Sequence, residues 1–201
     1  MAKKKRRVRR EKKYEFRPDP SGTKLLKKLH LTKLQQTILL KWTLYALLCL
    51  VGLIAQDVIM SRFRFSGATT DLAVCLILLI GIFEGMENGG LFALIASTIY
   101  WFSGSAPGPY VIAFLTILTV GISWFRQSYW LRGFSSTALC TSLAILAYEM
   151  LVFVFGLFQG LTILDRAGVF LLTGVMTCVV MLPLYPLVKS IAKIGGDTWK
   201  E

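Results

Sequence analysis

Between residues 41 and 190 the chain strings together six apolar runs, each close to the length of a membrane-crossing helix. A span needs about 20 mostly apolar residues. The runs are roughly 41–60, Ala68–Phe83, Gly89–Phe102, Pro109–Phe125, Ser135–Phe158 and about Gly168–Val188. The third is short, which leaves five spans as the alternative count, and Gln159–Ile163 reads as a re-entrant or interfacial piece. Hydrophobic residues make up 55% of the 201 positions, charged residues only 17%, and mean hydropathy is +0.61; soluble domains carry about 25% charged residues. The expected fold is all-α, an integral membrane helical bundle of about six transmembrane helices.

The net charge of +12 is confined to one end. Residues 1–41 hold fifteen Lys or Arg against three acids, and residues 42–201 hold eight of each. This divides the chain into a basic tail over 1–40, a six-span domain over 41–190 and a short C-terminal tail over 191–201. Like charges as dense as those of Met1–Glu15 repel one another and bury no core, so disorder is expected there. After the Pro/Gly-rich Phe16–Gly22, Thr23–Gln36 has the character of an interfacial helix, with Leu25, Leu26 and Leu29 opposite Lys24, Lys27 and Lys28. Lys3, Lys4, Lys5, Arg6, Arg7, Arg9 and Arg10 are the expected lipid-surface residues. A juxtamembrane Lys or Arg gains about 1 kcal/mol near an anionic leaflet, and ahead of a series of spans this outweighs a nucleic-acid role for the same run. Trp42–Met60 is span-length and no small-x-small site follows it, so it reads as a retained first span rather than a cleaved signal.

Lys and Arg bias orients the bundle. With six spans Arg126, Arg132, Lys189, Lys193 and Lys200 join the tail on the cytoplasmic side, and Arg62, Arg64 and Arg166 fall outside. Both termini are therefore expected in the cytoplasm, with the protein in the inner or cytoplasmic membrane. Glu84 and Glu87 give the second-to-third connection a local negative charge, but acids weigh little in this rule.

Within the apolar body few residues carry chemistry. Gly81, Gly85 and Gly89 are spaced four apart; they suit either a tight helix–helix seam or a Gly-rich turn at Asn88-Gly89-Gly90. Glu149 lies near the middle of the fifth run, where a carboxylate faces the bundle interior or a wet cavity. A structural polar contact and a partner- or ligand-binding role are both open for it; a proton relay lacks a second mid-span acid, lysine or histidine. Asp57 reads as an interfacial cap or ion pair near Arg62 and Arg64. Ser103–Pro109 makes a tight outer turn or part of a mouth. Pro183 and Pro186 should kink or end the last helix. Trp101, Trp124, Tyr129, Trp130 and Tyr185 fall near span ends, as an aromatic belt requires.

Cys49, Cys75, Cys140 and Cys178 sit singly in separate apolar stretches and read as small buried hydrophobes. The one histidine, His30, is in the tail, which argues against a His-ligated metal in the body. The chain contains no HExxH, no Walker loop, no GxSxG and no paired aspartates on a span. No catalytic, metal or cofactor residues are expected.

From about residue 70 to 190 the chain resembles the MreD family of bacterial rod-shape-determining membrane proteins. The likeness lies in Asp71 opening the second run (TTDLAVCLILLIGIFEG), a Gly-rich turn and short third run, the small-residue loop SGSAPGP, a fourth run ending in Arg126 and an acid, Glu149, in the fifth. The resemblance implies a non-enzymatic scaffold of the cell-elongation complex that helps maintain rod shape and guide peptidoglycan synthesis. Its implied partners are an MreC-like membrane protein, an MreB-like filament, RodA and a penicillin-binding protein, with Asp71 and Glu149 as interaction or structural candidates alongside Gly81, Gly85 and Gly89. The family is also similar in fold to the S-components of energy-coupling-factor vitamin transporters, so a substrate-binding transport subunit is the alternative, and a membrane enzyme of lipid or wall metabolism a weaker one. Short outer loops poor in hydrogen-bonding side chains favour the scaffold over the transport subunit.

Six spans make a topological prediction. Reporter fusions after Phe65 and after Lys200 should report outside and inside respectively; a C-terminus found outside would remove one span from the count.

Overall fold

The computed structural model describes residues 33–62, 66–129 and 133–194. The lipid-surface cluster, residues 23–32 of the interfacial helix, and Arg64, Trp130, Arg132 and Lys200 lie outside them. The described chain is all-helical. Six α-helices run Lys33–Val58 (α1), Leu72–Glu84 (α2), Met86–Phe102 (α3), Tyr110–Tyr129 (α4), Phe134–Phe158 (α5) and Ala167–Ala192 (α6), with 3-10 turns at Met60–Arg62 and Leu164–Arg166. α1, α4, α5 and α6 are each long and apolar enough to cross a membrane.

α2 organises the rest. Twelve of its thirteen residues are buried, and it touches all five other α-helices, which form a ring around it in the order α1, α3, α4, α5, α6 and back to α1. At 1.5 Å per residue thirteen residues rise only about 20 Å, short of the roughly 30 Å of a bilayer's hydrocarbon core. The run LAVCLILLIGIF is apolar on every side because every side meets protein. α1 is the loosest member of the ring. Leu39, Leu40, Leu47, Leu50, Val51 and Ile54 are all exposed on it.

The three spaced glycines do not share one helix. Gly85 interrupts the run with φ +87° and ψ −174°, a conformation that belongs essentially to glycine alone, and joins α2 to α3 in a one-residue hairpin. Gly81 and Gly89 then face each other across the hairpin: a Cβ on Gly89 would overlap the Gly81 carbonyl, and one on Gly81 would overlap the Thr119 methyl of α4. Turn and seam are thus both realised, with the turn at Gly85 and not at Asn88-Gly89-Gly90, which is helical. Gly81, Gly85 and Gly89, candidates for an interaction or a structural role, are all buried in this seam and turn.

Other boundaries moved. α1 begins eight residues before the expected start, absorbing Lys33–Gln36 from the expected interfacial helix. α6 continues through Pro183 and Pro186 to Ala192 rather than ending at them. Gln159–Ile163 is a turn leading into the 3-10 segment. Tyr185 is not in an outer belt: it is buried, 5.4 Å from the Phe83 ring and 4.7 Å from that of Phe134, whereas Trp124 is exposed. The four cysteines are free; Cys75 and Cys140 are buried and Cys49 and Cys178 half-buried.

The hairpin seam yields a paired prediction. Gly89→Ala should cost about 1–3 kcal/mol, as overpacking against backbone does. Gly121→Ala, whose Cβ meets open space, should stabilise α4 by about 0.5–1 kcal/mol through backbone entropy. Thermal denaturation of the two purified variants against the parent checks both signs.

Candidate functional site

The polar side chains gather at the two ends of α2, and the two ends are built differently. At the end nearest the start of α1, Glu84 closes the helix while buried among apolar neighbours. Lys41 Nζ lies 2.6 Å from its Oε1 and donates to Oε2 at 2.8 Å, and the Tyr45 hydroxyl donates to Oε1 at 2.7 Å. Lys41 is 3% exposed and Glu84 4%. The Arg126 guanidinium donates to the Ile82 carbonyl at 2.9 Å and lies over the Phe83 ring. Every charge in this cluster that faces the interior is paired or hydrogen-bonded, which is the condition for tolerating it there. Sequence reasoning assigned Lys41 to the charge of the tail and treated Glu84 as a loop acid; the ion pair 43 residues apart had no local signal.

The opposite end opens into a cleft of ≈ 440 Å³. Asp71 is the N-cap of α2: its Oδ1 accepts from Val74 N–H at 3.3 Å, satisfying one of the orphan donors of the first turn. Its Oδ2 accepts from the Tyr100 hydroxyl of α3 at 2.9 Å. The Asp71 N–H donates to Thr177 Oγ1 of α6, whose own hydroxyl donates back to the Thr173 carbonyl. Gln56 of α1 accepts from the Ala73 N–H at 2.8 Å. One cap residue and its neighbour thus tie α2 to α1, α3 and α6, so this wall rests on rigid elements. Asp57 is drawn in nearby, accepting from Ser105 of the α3–α4 loop at 2.7 Å. Ser105, Pro107 and Tyr110 line the cleft, which makes that loop part of a mouth.

The opposite wall comes from α5 and the start of α6. Tyr148 and Glu149 line the cleft at 2% and 5% exposure. Gly174 of α6 admits the Glu149 stem, for a Cβ there would sit 3.4 Å from Glu149 Cγ and 2.9 Å from a Leu146 methyl. Tyr148 Oη, Glu149 Oε1 and Thr162 Oγ1 are buried with no hydrogen-bond partner among the described residues, and all three residues line this one cleft. Buried polar atoms are nearly always satisfied, so three unsatisfied ones converging on a cavity mark it as the functional candidate. Arg166 stands exposed at the rim.

The two acids singled out in the sequence, Asp71 and Glu149, are therefore brought together, and Gly81, Gly85 and Gly89 are not part of their site. Tyr100, Tyr148, Gln56 and Thr162 were missed; each is an ordinary residue of an apolar run until the fold places it. The loops are not poor in polar lining here: Thr69, Thr70, Ser105 and Thr162 line the cleft alongside residues of the helices. No cluster of three or more metal-ligating side chains occurs among the described residues.

Comparison with models of protein families, with curated proteins and with solved structures gives no match.

The Lys41–Glu84 pair is testable by a double-mutant cycle. Lys41→Met should cost about 3–5 kcal/mol by stranding a buried carboxylate, and adding Glu84→Met should recover most of it, since replacing both partners with apolar groups is near neutral or stabilising. Thermal unfolding of both singles and the double is the measurement.

Proposed function

We propose that this chain is a non-enzymatic, multi-pass scaffold of the bacterial cell-elongation machinery, acting with MreC-like, MreB-like, RodA and penicillin-binding partners in guiding peptidoglycan synthesis. The proposal includes membership of the MreD family, six spans in the cytoplasmic membrane, both termini in the cytoplasm and the basic tail on anionic lipid. The resemblance of residues 70–190 supplies the identity of the partners. The observation that carries the reading is the surface such a scaffold needs. α1 and α3 meet where Trp42 and Tyr45 pack against Phe92, and between them runs an apolar groove of ≈ 460 Å³ whose walls include Trp42, Ala46, Leu53, Ile77, Phe92 and Ile95. Of its lining residues Leu50, Leu91, Ile95 and Ile99 are exposed. An apolar groove between helices accepts a partner's helix by packing alone, and the MreC-like protein, the membrane partner implied by the resemblance, is the occupant proposed.

The cleft at Asp71 and Glu149 favours a second reading, a solute-binding subunit with the S-component-like architecture of vitamin transporters. Its support is the aromatic and polar lining with unsatisfied groups. It needs no groove partner, and the scaffold needs no solute.

Depleting the protein in a rod-shaped host should give round or swollen cells, and co-purification should recover the MreC-like partner. Ala46→Trp, which fills the groove from an exposed position, should abolish that recovery while leaving the thermal stability of the isolated protein within about 0.5 kcal/mol, the range of surface changes. Normal rods on depletion would overturn the scaffold reading.

A further inference from the structure

We infer that the cleft between Asp71 and Glu149 binds a small organic cation, a primary ammonium on an apolar or aromatic body. The inference stands apart from the scaffold role and rests on the reading of the cleft as a solute site.

The argument is one of donors and acceptors. Among the described residues, the buried polar atoms without partners in this cleft are a carboxylate oxygen of Glu149 and the hydroxyls of Tyr148 and Thr162, and the carboxylate of Asp71 lines the same cleft. Carboxylate oxygens accept, and hydroxyls accept as well as donate. An ammonium offers three donors and no acceptor, which matches this set better than any neutral or anionic head. Charge points the same way. Two acids line the cleft against one base, Arg166, and Arg166 is at the exposed rim. The two acids are not equivalent. Asp71 sits at a helix N-terminus, where the backbone dipole already favours negative charge, and it accepts two hydrogen bonds. Glu149 lies mid-helix in α5 with neither advantage, and no Lys or Arg among the described residues pairs with it. A buried carboxylate without a cation partner is the group in this protein that a ligand's charge would most relieve.

The remaining walls suit the rest of such a ligand. Tyr100, Tyr110, Tyr148 and Phe170 contribute ring surface, and ring faces attract cations as well as aromatic bodies. The volume of ≈ 440 Å³ falls within the roughly 300–1,000 Å³ of small-molecule sites.

Three probes of one shape test the head group. The full chain in phosphatidylcholine nanodiscs is dialysed to equilibrium against tyramine, 4-ethylphenol or 3-(4-hydroxyphenyl)propionate, with empty nanodiscs as the blank. Tyramine should bind saturably, and the neutral and anionic probes about tenfold more weakly or worse, as expected for a buried charge left unpaired. Glu149→Gln should weaken tyramine by about tenfold or more without moving the weak binding of 4-ethylphenol. Arg166→Gln, a rim change that the fold does not depend on, should strengthen tyramine about twofold by removing an exposed like charge. Should Glu149→Gln fail to fold, Arg166→Gln and Tyr148→Phe carry the test, and unchanged tyramine affinity in both would overturn the inference. Equal binding of 4-ethylphenol or the propionate would overturn the ammonium class and leave the solute reading standing. No saturable binding by any of the three would end both.

Discussion

A helix of thirteen residues sealed from its surroundings on all sides sets the terms for the whole structure. α2 is the shortest of the six α-helices, and its twelve buried residues are covered by the other five. Full burial of Leu76, Leu78, Leu79, Ile80 and Ile82 is worth about 1.5–3 kcal/mol for each side chain removed from water. Against lipid that drive is absent, and close packing must do the same job. The small residues around α2 follow from this. Gly81 and Gly89 bring α2 and α3 together with backbone nearly touching backbone, Gly81 also admits the Thr119 methyl of α4, Gly90 lets Val120 of α4 close on α3, and Gly52 lets α1 ride over Leu76 and Leu72. The single-residue turn at Gly85 then fixes α3 as the antiparallel neighbour, because no longer connection exists to let it lie elsewhere.

Burial makes the two ends of α2 the places where polarity must be managed, and they are managed in opposite ways. The Glu84 end is closed. Lysine, tyrosine and carboxylate satisfy one another, and the ion pair ties α1 to α2 where Trp42 and Tyr45 also pack against Phe92 of α3. A satisfied buried network of this kind rigidifies and fixes register. The Asp71 end is open. Its wall of caps and cross-helix hydrogen bonds is as well tied as the other end, but the facing wall on α5 leaves Tyr148 and Glu149 unsatisfied. That contrast, within one bundle and along one helix, identifies the site more securely than either cluster alone. A protein that can pair a buried Lys with a buried Glu at one end has no general need to leave a buried Glu unpaired at the other.

What the sequence made legible divides along the same line. The six helices were readable because apolar length is a local property, and α5 began within one residue of its expected start. Glu149 was readable because an acid deep in an apolar run is expensive wherever the fold puts it. The partners were not readable. Lys41 and Glu84 are 43 residues apart, Asp71 and Tyr100 are 29 apart, and nothing in periodicity links them. The glycines show the limit most clearly. Their four-residue spacing was real, but spacing on one helix and facing positions across a hairpin give the same pattern in sequence, and only the positive φ of Gly85 decides between them. Tyr185 failed for a related reason: proximity to a helix end marks a belt only when the side chain faces outward, and this one faces Phe83 and Phe134.

The groove and the cleft share two helices. Ala73 and Ile77 line the groove while Asp71 lines the cleft, and the same holds on α3, where Ile99 belongs to the groove and Tyr100 to the cleft. The hydrogen bond from Tyr100 to Asp71 therefore holds together the helix ends that wall both. The closing of α2 on α3 at this end thus sets the position of residues in both surfaces, as the Gly85 turn does at the other end.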